Sequence, residues 1–384
     1  MLDEVPLSRP DIDDADIEMV VRTLRSGRLS IGPMQEAFEH EVALASSRTI
    51  GVSCSSGTAG LHMALLALGI GPGDEVITTP FSFIASANCI LYVGAKPVFV
   101  DIDPVSLNMD PDLVERAITP RTKAILGVEA FGNPVHMERY RQIADRHEIR
   151  LIEDCCEGLG GATGGKRIGS FGHVGVFGFY PNKQITTGEG GMVVTDDDRV
   201  ASICRSLRNQ GRGGAQGGGT GRWWMEFERL GYNYRLSDIA AALGVSQMRR
   251  LPEILDRRRA VAQRYIERFM AHTEVILPTV DPRTTMSWFV FVIRLGDRYT
   301  REERDRIIEG MHRHDVGAAA YFPCIHLQPH YRALGYAEGD FPIAERVSCR
   351  TIALPFSTRL AERDQDFAAS TFELMLSREN LRRS

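Results

Sequence analysis

From about Ser53 to Thr195 the chain alternates short apolar runs rich in β-branched residues with stretches in which apolar side chains recur every three or four positions. A period of two suits a strand and a period near 3.6 suits a helix, so the alternation predicts strands and helices wound into a mostly parallel sheet. Strands are expected at 75–79, 96–101, 124–128, 150–153, 174–179 and 191–195, with helices at 59–68 and 137–147. Gly71-Pro72-Gly73-Asp74 and Asp101-Ile102-Asp103-Pro104 punctuate them as turns. The pattern breaks at 211–221, where seven glycines in eleven residues predict a surface loop. Beyond it, 237–248, 253–269 and a charged run at 301–314 read as helices, and 288–295 reads as a strand. That remainder predicts a smaller α+β unit, with a Pro-containing segment at 321–331. The first helix, 14–25, has no preferred partner. The division expected is an N-terminal segment 1–30, a large domain 31–250 and a small domain 251–384, since 384 residues exceed one small core.

Composition narrows the classes. Hydrophobic residues at 43% and charged residues at 25% are the balance of a folded globular chain. A net charge of -5 gives no basic surplus for nucleic acid or an anionic bilayer, and no apolar run is long enough to span a membrane. The start, Met1-Leu2-Asp3-Glu4, lacks the basic region of a signal peptide, so a cytoplasmic location is expected. Seven scattered cysteines without a CxxC pair predict reduced thiols and no metal site.

Four local signals carry chemistry. Ser55-Ser56-Gly57-Thr58-Ala59 stands before a helix, where backbone N–H groups and hydroxyls either grip a phosphate or merely cap the helix. Ile152-Glu153-Asp154 puts acids at the end of an apolar strand, where a carboxylate either holds a ring nitrogen protonated or caps a loop. Phe179-Tyr180-Pro181-Asn182-Lys183, followed by Gly188-Glu189-Gly190-Gly191, sets a lysine between two strands beside a Gly-rich turn. Such a lysine suits Schiff-base chemistry, which needs an amine shielded from bulk water. Gly231-Tyr232-Asn233-Tyr234-Arg235-Leu236-Ser237-Asp238 leads polar and aromatic residues into an Ala-rich helix, with Ser237 or Asp238 as the cap.

With Ser56-Gly57-Thr58-Ala59, 69–77, 97–103, Gly188-Glu189-Gly190-Gly191 and Gly231-Tyr232-Asn233-Tyr234-Arg235 in this order, nearly the whole chain resembles the DegT-type sugar aminotransferases. The resemblance implies an α/β fold, the fold type I aminotransferase, with a seven-stranded, mostly parallel sheet flanked by helices and a smaller C-terminal α+β domain. It implies pyridoxal 5′-phosphate as cofactor, bonded covalently to Lys183, with Asp154 at the ring nitrogen, Phe83 stacked on the ring and Gly57 and Thr58 at the phosphate. It also implies a homodimer with shared sites, in which Asn233 reaches the neighbouring subunit's phosphate. Relatives often carry a serine at the position of Gly178, and Gln or His at Glu157 near the ring oxygen; these are departures.

The activity implied is transfer of an amino group from L-glutamate to a nucleotide-linked 4-keto or 3-keto deoxyhexose, in two half-reactions with Lys183 moving the proton. Arg212, Tyr321 and His326 are candidate substrate contacts, as are Arg222, Trp223 and Trp224. Rival readings are an aminotransferase for a keto-cyclitol, a sugar dehydratase and a cofactor-fold sensor without catalysis. Dehydratases of this scaffold replace the lysine with histidine, so Lys183 weighs against them, and intact Asp154 and Lys183 weigh against the sensor.

Overall fold

The computed structural model describes residues 4–213 and 226–383. Seven strands form the main sheet: β1 (Ile50–Cys54), β2 (Glu75–Thr78), β3 (Lys96–Phe99), β4 (Thr122–Val128), β5 (Arg150–Asp154), β6 (Val174–Gly178) and β7 (Gly191–Thr195). Their spatial order is β1-β7-β6-β5-β4-β2-β3. Only β7 runs against its neighbours, so the other six all end at one edge. That edge collects the turns after β1, β5 and β6 and the start of β7, the place where an open α/β sheet binds ligands.

Side chains alternate across the sheet. Leu126 and Ile152 face one core with helices α1 (Gly57–Ala67) and α2 (Ala85–Tyr92), while Ile125 and Leu151 face another with Tyr140 and Ile143. Both faces are covered, which is why the strands read as continuous apolar runs. Helix α1 lies close on the sheet because Gly60 carries no side chain; a Cβ there would come within 2.6 Å of Val176.

The C-terminal part packs a three-stranded antiparallel sheet, Val275–Ile276, Phe291–Leu295 and Thr351–Leu354, against helices Leu251–Phe269, Arg301–His312 and Glu362–Arg383. Its apolar core takes in Phe81, Ile102 and Phe131 from loops of the main sheet, so the two parts share buried contacts. The N-terminal segment touches both. Helix Asp14–Ser26 lies along Asp238–Arg249, tied by Gln247 and Arg250 donating to Asp16, while Val5 bridges to Val316. Among the described residues no helix is long and apolar enough to cross a membrane.

The six strands expected in the main sheet are present with ends shifted by at most two residues in either direction, the usual uncertainty at element boundaries. Strand 288–295 begins at Phe291, because Trp288 and Phe289 are held in a non-strand stretch. The helices Pro33–Ala45, Ala85–Tyr92, Asp198–Arg208, Pro342–Ser348 and Glu362–Arg383 were not anticipated. Most of the loop expected at 211–221 lies outside the described residues.

Candidate active site

Asp154 ends β5, opposite Val128 of β4 and Val176 of β6. The strand's alternation turns Asp154 to the same face as Ile152, the face that carries α1 and α2. There its Oδ2 accepts a hydrogen bond from Ser86 Oγ at 2.7 Å and its Oδ1 accepts one from the Cys156 N–H at 3.3 Å. Ser86 Oγ in turn lies 3.0 Å from Ser82 Oγ. Two hydroxyls thus orient a carboxylate at the open end of the sheet. Ser82 and Ser86 sit four residues apart around Phe83, a helical spacing that brings both to one side.

Lys183 lies in the turn between β6 and β7, and its backbone N–H donates to Tyr180 O at 2.9 Å. Its side chain is only 15% exposed, with Nζ 4.2 Å from the centroid of the Phe289 ring and 3.9 Å from Glu157 Oε1. An aromatic face on one side and a carboxylate on the other shield the amine from bulk water. Glu157 is buried and its Oε2 accepts the Phe131 N–H at 2.8 Å. Burial pushes the Glu157 carboxyl up to about 7, with the Lys183 charge and the Phe131 bond acting in the opposite sense. Tyr321 borders the same space, its phenol held above its ordinary value by burial and then by Glu157.

At the other end stands the start of α1. Ser56 caps it, its side chain accepting from the Ala59 N–H at 3.1 Å, and the first-turn N–H groups of Gly57 and Thr58 have no acceptor within the helix. Gly191 at the start of β7 serves close packing: a Cβ there would meet Ser56 O at 2.3 Å. Gly178 packs in a similar way, since a Cβ there would lie 3.2 Å from Cys156 Sγ. A serine at 178 would crowd that thiol, so glycine at 178 goes with cysteine at 156.

These groups line one cavity of about 670 Å³, together with Phe83, which is 60% exposed, and Phe289. The volume falls in the range of cofactor pockets. Its polar groups sit in two sets, helix N–H groups and hydroxyls in one, and an amine with two carboxylates in the other. That donor set fits pyridoxal phosphate: an anion needs the helix start, an aldehyde needs the amine, and a basic ring nitrogen needs a carboxylate.

Of the expected site residues, Gly57, Thr58, Phe83, Asp154, Glu157, Lys183 and Tyr321 come together on this cavity. Three do not. Asn233 is exposed, on a bridge to Asn209, and points to no wall of the cavity of its own chain. Arg212 lies against Phe227, its guanidinium carbon 6.0 Å from the ring centroid. His326 is fully buried, with Nε2 2.9 Å from Glu345 Oε1, so it ties a turn to helix Pro342–Ser348 instead of facing the cavity. Arg222, Trp223 and Trp224 lie outside the described residues. Ser86, Cys156 and Phe289 line the cavity and were missed; Phe289 comes from the C-terminal part, and nothing local in sequence links it to Lys183.

Comparison with known proteins agrees with this geometry. The profile of the DegT/DnrJ/EryC1/StrS aminotransferase family matches residues 10–372. The chain belongs to that family. It is 35% identical to GDP-perosamine synthase of Caulobacter vibrioides over 377 residues, 98% of this chain and 99% of that one. Among solved structures, DesV of S. venezuelae, crystallised with a ketimine intermediate, superimposes with a TM-score of 0.88 at 33% identity, covering 97% of this chain and 99% of that one. Spr1654 of Streptococcus pneumoniae in its PLP-form superimposes with a TM-score of 0.92 at 29% identity, covering 98% and 99%. This member of the DegT family has the fold type I architecture and is a pyridoxal-phosphate-dependent aminotransferase.

Proposed function

We propose that this DegT-family enzyme transfers the amino group of L-glutamate to a nucleotide-linked 4-keto or 3-keto deoxyhexose in the cytoplasm. The observation that carries the reading is a shielded amine, Lys183, on one cavity with the Asp154 carboxylate and a helix N-terminus. Pyridoxal phosphate, when bound, supplies the electron sink for the reaction. Lys183 would hold it covalently and, with its amine free, would carry a proton as base and acid. Asp154, oriented by Ser86, keeps the ring nitrogen charged. Gly57 and Thr58 would give N–H groups to the phosphate, Phe83 would offer a stacking face, and Glu157 would meet the ring's polar substituent from the Lys183 side. Exposed Asn233 suits a homodimer in which it completes the phosphate grip of the second subunit.

The sugar acceptor is supported by the likeness to GDP-perosamine synthase, a protein named for a nucleotide-linked amino sugar. A lysine at 183 opposes the dehydratase reading. The keto-cyclitol reading separates in a screen of nucleotide-linked keto sugars and free keto rings with glutamate, read by mass spectrometry. Lys183→Ala is expected to abolish both turnover and borohydride-fixed cofactor while the melting temperature stays close to that of the parent. Normal turnover in that variant would remove Lys183 from the mechanism.

A further inference from the structure

Arg258 is the buried group that the reaction as described leaves unused. It lies on the helix Leu251–Phe269, 3% exposed, and burial lowers its guanidinium to about 10. Most buried arginines face a carboxylate, because an unpaired charge away from water is costly. Arg258 has no carboxylate within ion-pair distance among the described residues, and its donors go to neutral oxygens. Nε donates to Trp288 O at 2.8 Å, Nη2 to Phe289 O at 2.9 Å and to Asn182 O at 3.2 Å, and Nη1 to Thr358 Oγ1 at 3.2 Å. Its planar face lies over Phe356, 5.2 Å from the ring centroid.

Two of these acceptors flank the amine. Asn182 immediately precedes Lys183, and Phe289 carries the ring that lies 4.2 Å from Lys183 Nζ. One guanidinium therefore fixes the backbone from which the lysine springs and the backbone that sets the wall beside it, though the two come from opposite parts of the chain. We infer that Arg258 is a positioning residue for Lys183, setting the amine's reach into the cavity and coupling it to the placement of the C-terminal part. Only a rigid fork spans three carbonyls at once; a lysine's single ammonium does not. The inference rests on Lys183 being the cofactor-bonding lysine.

The test compares Arg258→Lys and Arg258→Gln with Arg304→Gln in the full chain. Arg304 is a control of equal burial, 3% exposed, which bonds Ser348 O, Thr351 O and Asp305 in the C-terminal part without contacting the Lys183 turn. Cofactor-free protein is mixed with pyridoxal phosphate, reduced with borohydride at intervals, and the label on Lys183 counted by peptide mass spectrometry, with melting temperature followed in parallel. Both Arg258 variants are expected to bond the cofactor about 10- to 100-fold more slowly, with kcat lowered and donor KM little changed. Arg304→Gln is expected to lose melting temperature while bonding at the parent rate. Should Arg258→Gln not fold, Arg258→Lys, which keeps the charge and most of the volume, decides. A folded Arg258 variant that labels at the parent rate overturns the positioning role, as does equal slowing in Arg304→Gln. Absence of label on Lys183 in the parent would instead refute the function proposed above.

Discussion

The two acids that end β5 are neighbours in sequence and opposites in circumstance. Asp154 turns toward the cavity, held by the Ser86 hydroxyl and the Cys156 N–H. Glu153, one residue earlier and therefore on the other face, is sealed in: its carboxylate accepts the N–H groups of Gly169 at 2.9 Å and Gly172 at 2.5 Å. Beside it sits Glu129, also fully buried, with a carboxyl oxygen of Glu129, one of Glu153 and the Cys155 Sγ within 4.8 Å of one another. Burial and the nearby Glu153 charge push the Glu129 carboxyl well up, so it keeps its proton beside Glu153. One acid is exposed to ligand and the other is a strut that pins the loop before β6. The difference follows from the two-residue period of a strand and nothing else.

The largest effect that separates them is on chemistry. Asp154→Asn keeps the shape and removes the charge, so it is expected to cut kcat on the order of 10³-fold, about 4 kcal/mol of barrier, with the melting temperature nearly unchanged. Steady-state kinetics at saturating donor check it. Activity within a few fold of the parent would place the two acids in one structural class and break the contrast.

The strand pattern and the turns made the sheet legible, because buried parallel strands announce themselves as apolar runs. The Lys183 turn and Asp154 were legible for the same reason: each stands at or just after the end of a strand on the ligand-binding edge. What escaped was everything that depends on contacts between distant segments. Phe289 and Arg258 act on the lysine across the fold, and no local pattern encodes such a meeting. Ser86 was overlooked although its spacing from Ser82 is helical, since 85–92 is short and apolar and gives no amphipathic signal. His326 misled in the opposite direction. A histidine beside aromatic and proline residues reads as a site residue, yet Phe341 and Glu345 enclose it.

Glu157 lies between the two cases, buried like Glu153 but bordering the cavity like Asp154. Its carboxyl is raised from the ordinary 4.5 to about 7, so the folded chain holds its proton where the unfolded chain has lost it. Stability from this group is therefore present below about 4.5 and is lost as pH rises through about 7. The gap amounts to about 3 kcal/mol. Denaturant melts of cofactor-free parent and Glu157→Gln should accordingly diverge between pH 5 and pH 8, the variant gaining on the parent by about that much. A constant difference across this span would mean that the Glu157 carboxylate stays charged throughout.

The smallest effect sharpens the strut. Glu153→Gln leaves one acceptor oxygen where the carboxylate offered two, and turns an NH₂ toward the N–H of Gly169 or Gly172. A buried donor without a partner costs about 1–3 kcal/mol, and the protonated Glu129 beside it finds a neutral amide instead of an anion. Urea denaturation is expected to register a loss of about 2 kcal/mol. The turnover of the folded fraction should nevertheless match the parent's, because the substituted side chain points away from the cavity. A fall in kcat without a fall in stability would put Glu153 on the catalytic side of its own strand, against the alternation that separates it from Asp154.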